Sequence, residues 1–388
     1  MLIELIQVAL GFRKQLSHIP SEEEWMRVYK DAMSQAIAGV CFTAIQKLPA
    51  EQCPPEEIYW EWLGLVSQIQ QQNELIDKRT AKVWKKLKEA GLDAAVLKGQ
   101  GIATLYKSHT DSIDSTNNTD DLPTLRQSGD IDVWVKGGYQ KVCDYVQSVA
   151  PTIDLAYHRF SLNVFADTEV ELHHRPTLMR NLFDNRKLAR WYNSFGADSF
   201  IYLEDKGFAV PSNKFNTLFI LTHIYRHFLF EGIGLRQVMD YYFVLRNNPA
   251  LSLEKGGEIL LKLRELRLLR FAEAMMWVLH TQFGLEERYL ICGMNEKEGR
   301  FVLNEILMTG NFGRGETRYH YKRLRTFRRM TVHGCHLLLH YPSEVIWTPV
   351  WLLYHKYWMW NKKRQIKRRY GQLSSESFDE LQNFNTEL

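Results

Sequence analysis

Two aspartates two residues apart give this chain its most direct chemical signal. They lie in Ser128-Gly129-Asp130-Ile131-Asp132-Val133-Trp134-Val135, where strict alternation predicts a β-strand. Ile131, Val133 and Val135 fall on one face, and Asp130, Asp132 and Trp134 on the other. Carboxylates so placed can share a divalent cation, because hard ions with phosphate ligands want oxygen donors. Upstream, Ala94 to Leu97 predicts a strand running through Lys98-Gly99 into a helix that starts near Gln100. A glycine at such a turn lets backbone N–H groups approach a phosphate at the helix N-terminus. A third carboxylate, Glu171, comes from a predicted hairpin of 157–165 and 169–173, turned at Ala166-Asp167-Thr168. On its return strand Val170 and Leu172 face the core, while Glu169, Glu171 and His173 share the other face. Phosphoryl and nucleotidyl transfer need little covalent help from a protein. They need groups that hold paired divalent ions and position the reacting oxygens.

Helices must carry this small sheet. Residues 1–92 read as helical: Ser21 with Glu24 three residues on is a capping-box signature for a helix running to about Ala38. Pro54-Pro55 opens a long periodic segment ending at Gly91, with Ile58, Trp62, Leu65, Ile69, Ile76, Val83 and Leu87 along one side. Gly137-Gly138 turns the chain into a helix bearing Val142, Tyr145, Val146 and Val149. Pro211-Ser212 caps a second helical region, which carries His223 and His227 at metal-ligand spacing. The intervening Ile-Tyr-Arg lacks the glutamate of a metalloprotease helix, so these histidines read as packed or hydrogen-bonded. Residues 107–125 are too polar to pack and read as a loop, either an inert insertion or a lid.

Leu97-Lys98-Gly99, Leu105-Tyr106, Arg126-Gln127-Ser128-Gly129-Asp130-Ile131-Asp132 and Val170-Glu171-Leu172-His173 together resemble a known family. It is the bacterial uncharacterised nucleotidyltransferase family of the DNA polymerase β-like superfamily. The later Gly232-Ile233-Gly234-Leu235-Arg236-Gln237-Val238-Met239-Asp240 is also similar to it. The resemblance implies an α+β fold, a small mixed β-sheet nucleotidyltransferase core flanked by helices, with N-terminal and C-terminal helical regions. It implies metal binding, catalytically by Mg²⁺ or Mn²⁺, at Asp130, Asp132 and Glu171, and a phosphate turn at Gly99. Where the superfamily usually has Gly-Ser or Gly-Gly, this chain has Gly99-Gln100. Lys98, Gly99, Gln100, Arg126 and Gly129 are assigned to the nucleotide, and Arg236 and Asp240 to the acceptor side. The expected organisation is a helical region 1–92, the core 93–210, a helical domain 211–310 and a basic, aromatic-rich helical extension 311–388.

The 388 residues predict more than one compact core. Apolar content of 45% and charged content of 24% are ordinary for a soluble globular protein. Five scattered cysteines without C-x-x-C spacing argue against a disulfide framework and a structural zinc, and for a reducing, cytoplasmic setting. The first residues lack signal-peptide character, and no apolar run is long enough to span a membrane. Net charge is only +4 but uneven: residues 314–370 hold 14 lysines and arginines against two acids, and 371–388 hold four acids and no base. Such a basic segment attracts phosphate in nucleotides, nucleic acid or an acidic membrane surface. Its aromatics, from Trp347 to Trp360, also suit a terminal layer packed inward. The leading expectation is an enzyme that moves an NMP from an NTP to an acceptor hydroxyl, with a small molecule or saccharide favoured. The alternatives are a non-catalytic nucleotide-sensing protein of the same fold, or a nucleic-acid or membrane-surface binder acting through residues 314–370.

Overall fold

The computed structural model describes residues 1–106, 122–150, 154–248, 257–311 and 334–370. Helices α1 (Leu2–Ala9), α2 (Glu22–Ser34), α3 (Ala38–Ile45) and α4 (Glu56–Glu89) precede strand β1 (Ala94–Val96). Short helices α5 (Gln100–Ala103) and α6 (Leu122–Leu125) come before β2 (Ile131–Val135) and α7 (Gly138–Val149). Strands β3 (Asp154–Leu155), β4 (Arg159–Leu162) and β5 (Val170–His173) lead to α8 (Leu182–Asn193) and the hairpin β6 (Phe200–Leu203) and β7 (Phe208–Pro211). Then follow α9 (Asn213–Phe230), α10 (Leu235–Arg246), α11 (Gly257–Glu265), α12 (Leu269–Phe283), α13 (Glu296–Thr309), α14 (Gly334–Leu338) and α15 (Pro342–Tyr370). The fold is α+β, as the sequence predicts. Most of the polar loop 107–125, the basic run 314–333 and the acidic end 371–388 lie outside the described residues.

The chain forms two compact units. One comprises residues 1–75, 102–128 and 216–334, and the other 76–101, 129–215 and 335–388. The first is helical. Its α2 begins as the capping box predicts, with Ser21 N donating to Glu24 Oε2 at 2.9 Å and Glu24 N to Ser21 Oγ at 3.3 Å. The helix stops at Ser34 rather than near Ala38, because Ala36 takes a left-handed φ of 57°. On α4 the buried residue is Val66 and not Leu65, which is partly exposed. Trp62 lies fully buried and donates its indole N–H to Ala38 O at 2.9 Å.

The second unit holds a five-stranded sheet in the order β1-β2-β5-β4-β3. Strands β2 and β5 run parallel, and the other neighbours pair antiparallel. A parallel pair needs a crossover, which α7, β3 and β4 supply. The predicted hairpin forms as β4 and β5, with Phe160 opposite Leu172 and Ser161 opposite Glu171. One face of the sheet buries Val133, Val135, Phe160 and Leu172 against Val142 and Val146 of α7 and Val83 and Leu87 of α4. Each such side chain, fully buried, contributes about 1.5–3 kcal/mol. That apolar face holds the sheet rigid and leaves the polar face to carry the carboxylates.

Candidate active site

Parallel pairing of β2 with β5 sets Asp132 directly beside Glu171, and Trp134 beside His173. His173 Nε2 lies 2.8 Å from Asp132 Oδ1 and 3.2 Å from Glu171 Oε2. Lys98 arrives from the end of β1, where Leu97 N donates to Asp132 O at 2.9 Å and so extends the pairing to the turn. Its Nζ donates to Asp132 Oδ1 at 2.9 Å and stands 3.8 Å from Asp130 Oδ2. Arg159 on β4 closes the other flank, 2.7 Å from Glu171 Oε1 and 3.2 Å from Glu169 Oε1. Thus Lys98, Asp130, Asp132, Glu171 and His173 come together, while Glu169 is turned to the rim with Arg159.

Burial alone would push the Asp132 carboxyl up, but Lys98 and His173 outweigh it and hold the group ionised, well below the usual range. Burial pushes Glu171 up, and the neighbouring Asp132 charge pushes the same way, against the pull of His173 and Lys98. Burial would lower His173, yet its contacts with Asp132 and Glu171 raise it. The two acids forced together on adjacent strands are thus flanked by Lys98, His173 and Arg159.

The donor set suits a divalent ion. Asp132 is buried, and its Oδ2 has no hydrogen-bond partner among the described residues, although Oδ1 meets both Lys98 and His173. A buried carboxylate oxygen without a partner is costly. An ion coordinated there would remove that cost. Among the described residues, Asp132, Glu171 and His173 are the group of histidines, cysteines and acids close enough to share a metal. Asp130 stands at the rim, with a side chain 43% exposed, and offers a further oxygen. Carboxylate oxygens fit Mg²⁺ or Mn²⁺, and an imidazole fits the latter better.

The turn between β1 and α5 is built for close backbone approach. Gly99 has a φ of +52°, which side-chain-bearing residues rarely adopt. Gly101 sits so near β1 that a Cβ would lie 2.7 Å from Val96 O. The next side chain on the turn, Gln100, donates to Asp77 Oδ1, whose other oxygen is 2.6 Å from Lys206 Nζ. A model of the family described as uncharacterised nucleotidyltransferase matches residues 21–284, which include this turn and both carboxylate strands. The chain belongs to that family. No curated protein and no solved structure matches it.

Of the other residues assigned from the sequence, Arg126, Arg236 and Asp240 lie in the helical unit. Arg126 Nε and Nη2 donate to Asp240 Oδ1 and Oδ2 at 2.6 and 2.7 Å, and Tyr106 OH donates to Asp240 Oδ1 at 2.7 Å. Arg236 Nη1 donates to Gln127 O at 2.6 Å. Gly129, in the sheet unit, has no atom of the described residues within 4 Å of where a Cβ would stand. His227 Nδ1 lies 2.7 Å from Glu231 Oε2, in keeping with a hydrogen-bonded helix histidine. Two members of the sheet cluster have no role in the sequence reading, His173 and Arg159. The signal for His173 is its place two residues after Glu171 on the same strand face. Arg159 has no local signal, because its approach to Glu171 depends on the register of β4 against β5.

Proposed function

We propose that the chain is a divalent-metal-dependent nucleotidyltransferase that moves an NMP from an NTP to an acceptor hydroxyl and releases pyrophosphate. The observation that carries this reading is Asp132 beside Glu171 on parallel strands, with Asp132 Oδ2 buried and unpartnered among the described residues. Asp130, Asp132 and Glu171 would hold Mg²⁺ or Mn²⁺, with His173 fixing the carboxylates. Such ions supply neutralisation of phosphate charge and acidify an attacking hydroxyl. Gly99 and Gln100 present backbone to the β and γ phosphates, and the Lys98 ammonium adds charge at that end. Gly129 leaves room for the nucleotide beside Asp130. Arg126 and Asp240 are closed on each other, so we read that pair as a structural tie rather than as part of the chemistry. The acceptor is a small molecule or saccharide rather than a nucleic acid, because the chain outside its basic segment and acidic end carries a net charge of −4.

The test is a screen of the four NTPs with Mg²⁺ or Mn²⁺, reading thermal shift and, over an acceptor panel, pyrophosphate release. A nucleotide at about 100 times its dissociation constant adds roughly 2.7 kcal/mol to stability. The expected result is a shift that needs both metal and NTP and is lost in Asp132→Asn. No shift with any NTP at millimolar concentration would remove the nucleotide from this site.

A further inference from the structure

The terminal helix α15 lies outside the residues matched by the family and has two faces of different chemistry. Its inner face is docked on the sheet unit. Trp351 and Trp358 meet Tyr157 with ring centroids 4.6 and 4.9 Å away, and Lys362 Nζ sits 4.2 Å over the Tyr139 ring. Near its start, Glu344 accepts hydrogen bonds from Arg180 N and Asn181 N at 2.6 and 3.1 Å. These contacts fix the rotation of the helix, so its outer face cannot turn inward.

That outer face carries Ile346, Val350, Leu353, Tyr357 and Trp360, at alternating spacings of four and three that place them on one line. All are exposed, from 46% at Val350 to 72% at Leu353. The same line continues into exposed Arg364 and Arg368, with exposed Lys356, Lys363 and Lys367 along one side. Arg364 is held over the Trp360 ring at 5.3 Å. The acid of this helix, Glu344, is buried on the inner side. Among the described residues no helix is long and apolar enough to cross a membrane.

We propose that the outer face of α15 docks the protein on an anionic lipid surface, with the helix lying flat in the interface. Charge complementarity selects this occupant. A second copy of the helix would bring arginines and lysines with no exposed acid on it to meet them. Nucleic acid could stack on Tyr357 and Trp360 but would leave Ile346, Val350 and Leu353 in water. A lipid interface offers hydrocarbon to the aliphatic end and headgroup phosphate to the basic end. Tyr357 and Trp360 stand at the junction, where amphipathic rings are favoured.

The experiment is co-sedimentation of the full chain with phosphatidylcholine vesicles that contain or lack phosphatidylserine. Binding is expected only with phosphatidylserine and should weaken with salt. Each base near such a surface is worth about fivefold in binding, so Arg364→Ala with Arg368→Ala should cost roughly tenfold or more. Leu353→Glu with Tyr357→Glu should cost at least as much, while thermal melts stay unchanged because both positions are exposed. Absence of vesicle binding by the wild type, or binding that survives both double variants, overturns the proposal. So does a self-association broken by Leu353→Glu, or nucleic-acid binding lost with the two arginines, if vesicles are not bound.

Discussion

The two units each bury a carboxylate among cations, and they finish the task differently. In the helical unit Asp240 is met on both oxygens by Arg126, and Tyr106 adds a third hydrogen bond. In the sheet unit Asp132 has Lys98 and His173 on one oxygen, and the other has no partner among the described residues. A buried ion pair repays its desolvation only when geometry and hydrogen bonds satisfy all its polar atoms. Asp240 meets that condition and reads as architecture. Asp132 does not, and it has a second acid, Glu171, pressed beside it. A buried carboxylate left incomplete beside a second acid is what makes this cluster the candidate ligand site.

The comparison can be broken most forcefully at the closed pair. Asp240→Ala would strand the buried Arg126 charge and should cost about 3–5 kcal/mol, read from the urea midpoint. Nucleotide-induced stabilisation should persist in whatever remains folded. A fully stable but inactive Asp240→Ala protein would instead move this pair into the chemistry.

A third buried acid sharpens the contrast. Glu344 accepts hydrogen bonds from two backbone N–H groups, and burial pushes its carboxyl up to about 7 against the pull of those bonds and of the Arg180 charge. For a carboxyl raised on folding, the folded state holds the proton more tightly than the unfolded chain. Its contribution is therefore fully present below about pH 4.5 and is lost as pH rises through about 7, a change of roughly 3 kcal/mol. Glu344→Gln should flatten that part of the stability–pH curve, measured by urea denaturation across pH 4 to 8 buffers. An unaltered curve would mean that this carboxyl titrates alike in both states.

Next comes the open cluster itself. Glu171→Gln should lower turnover by at least about a hundredfold, roughly 2.7 kcal/mol in the barrier, and keep NTP binding within a few-fold. Glu169→Gln, on the rim beside Arg159, should leave turnover nearly unchanged. Reversal of these two results in steady-state assays would put the register argument in error. The smallest effects are at the turn. Gly99→Ala forces a side chain into a left-handed φ and should cost about 1 kcal/mol. Gly101→Ala should cost more, since its Cβ meets the Val96 carbonyl; equal denaturation midpoints for the two would contradict the packing described.

The extended helix predicted from Ser21 shows where local reading works and where it stops. The capping box lies within four residues and could be seen directly, and it forms as written. The end of that helix depends on Ala36 entering a conformation that alanine does not favour by itself, so no residue type announces it. The basic terminal segment divides similarly. Its aromatic content was plain, but the sorting of Trp351 and Trp358 inward and Tyr357 and Trp360 outward comes from the docking of α15 on Tyr157.

At the site, the sequence by itself determined which residues could face one way. Alternation put Asp130 and Asp132 on one face of β2, and Glu169, Glu171 and His173 on one face of β5. The glycine after Lys98 marked a turn that only a residue without Cβ enters freely. These are short-range consequences of backbone period and steric freedom. Only the tertiary structure decided which members of those faces meet. Strand order and parallel register put Glu171, not Glu169, beside Asp132, and brought Lys98 and Arg159 in from β1 and β4. Partners across a sheet are separated by long stretches of chain, and a one-residue slip exchanges the two faces. Register is therefore chosen by the buried side of the whole sheet, through packing that the spacing within one strand does not contain.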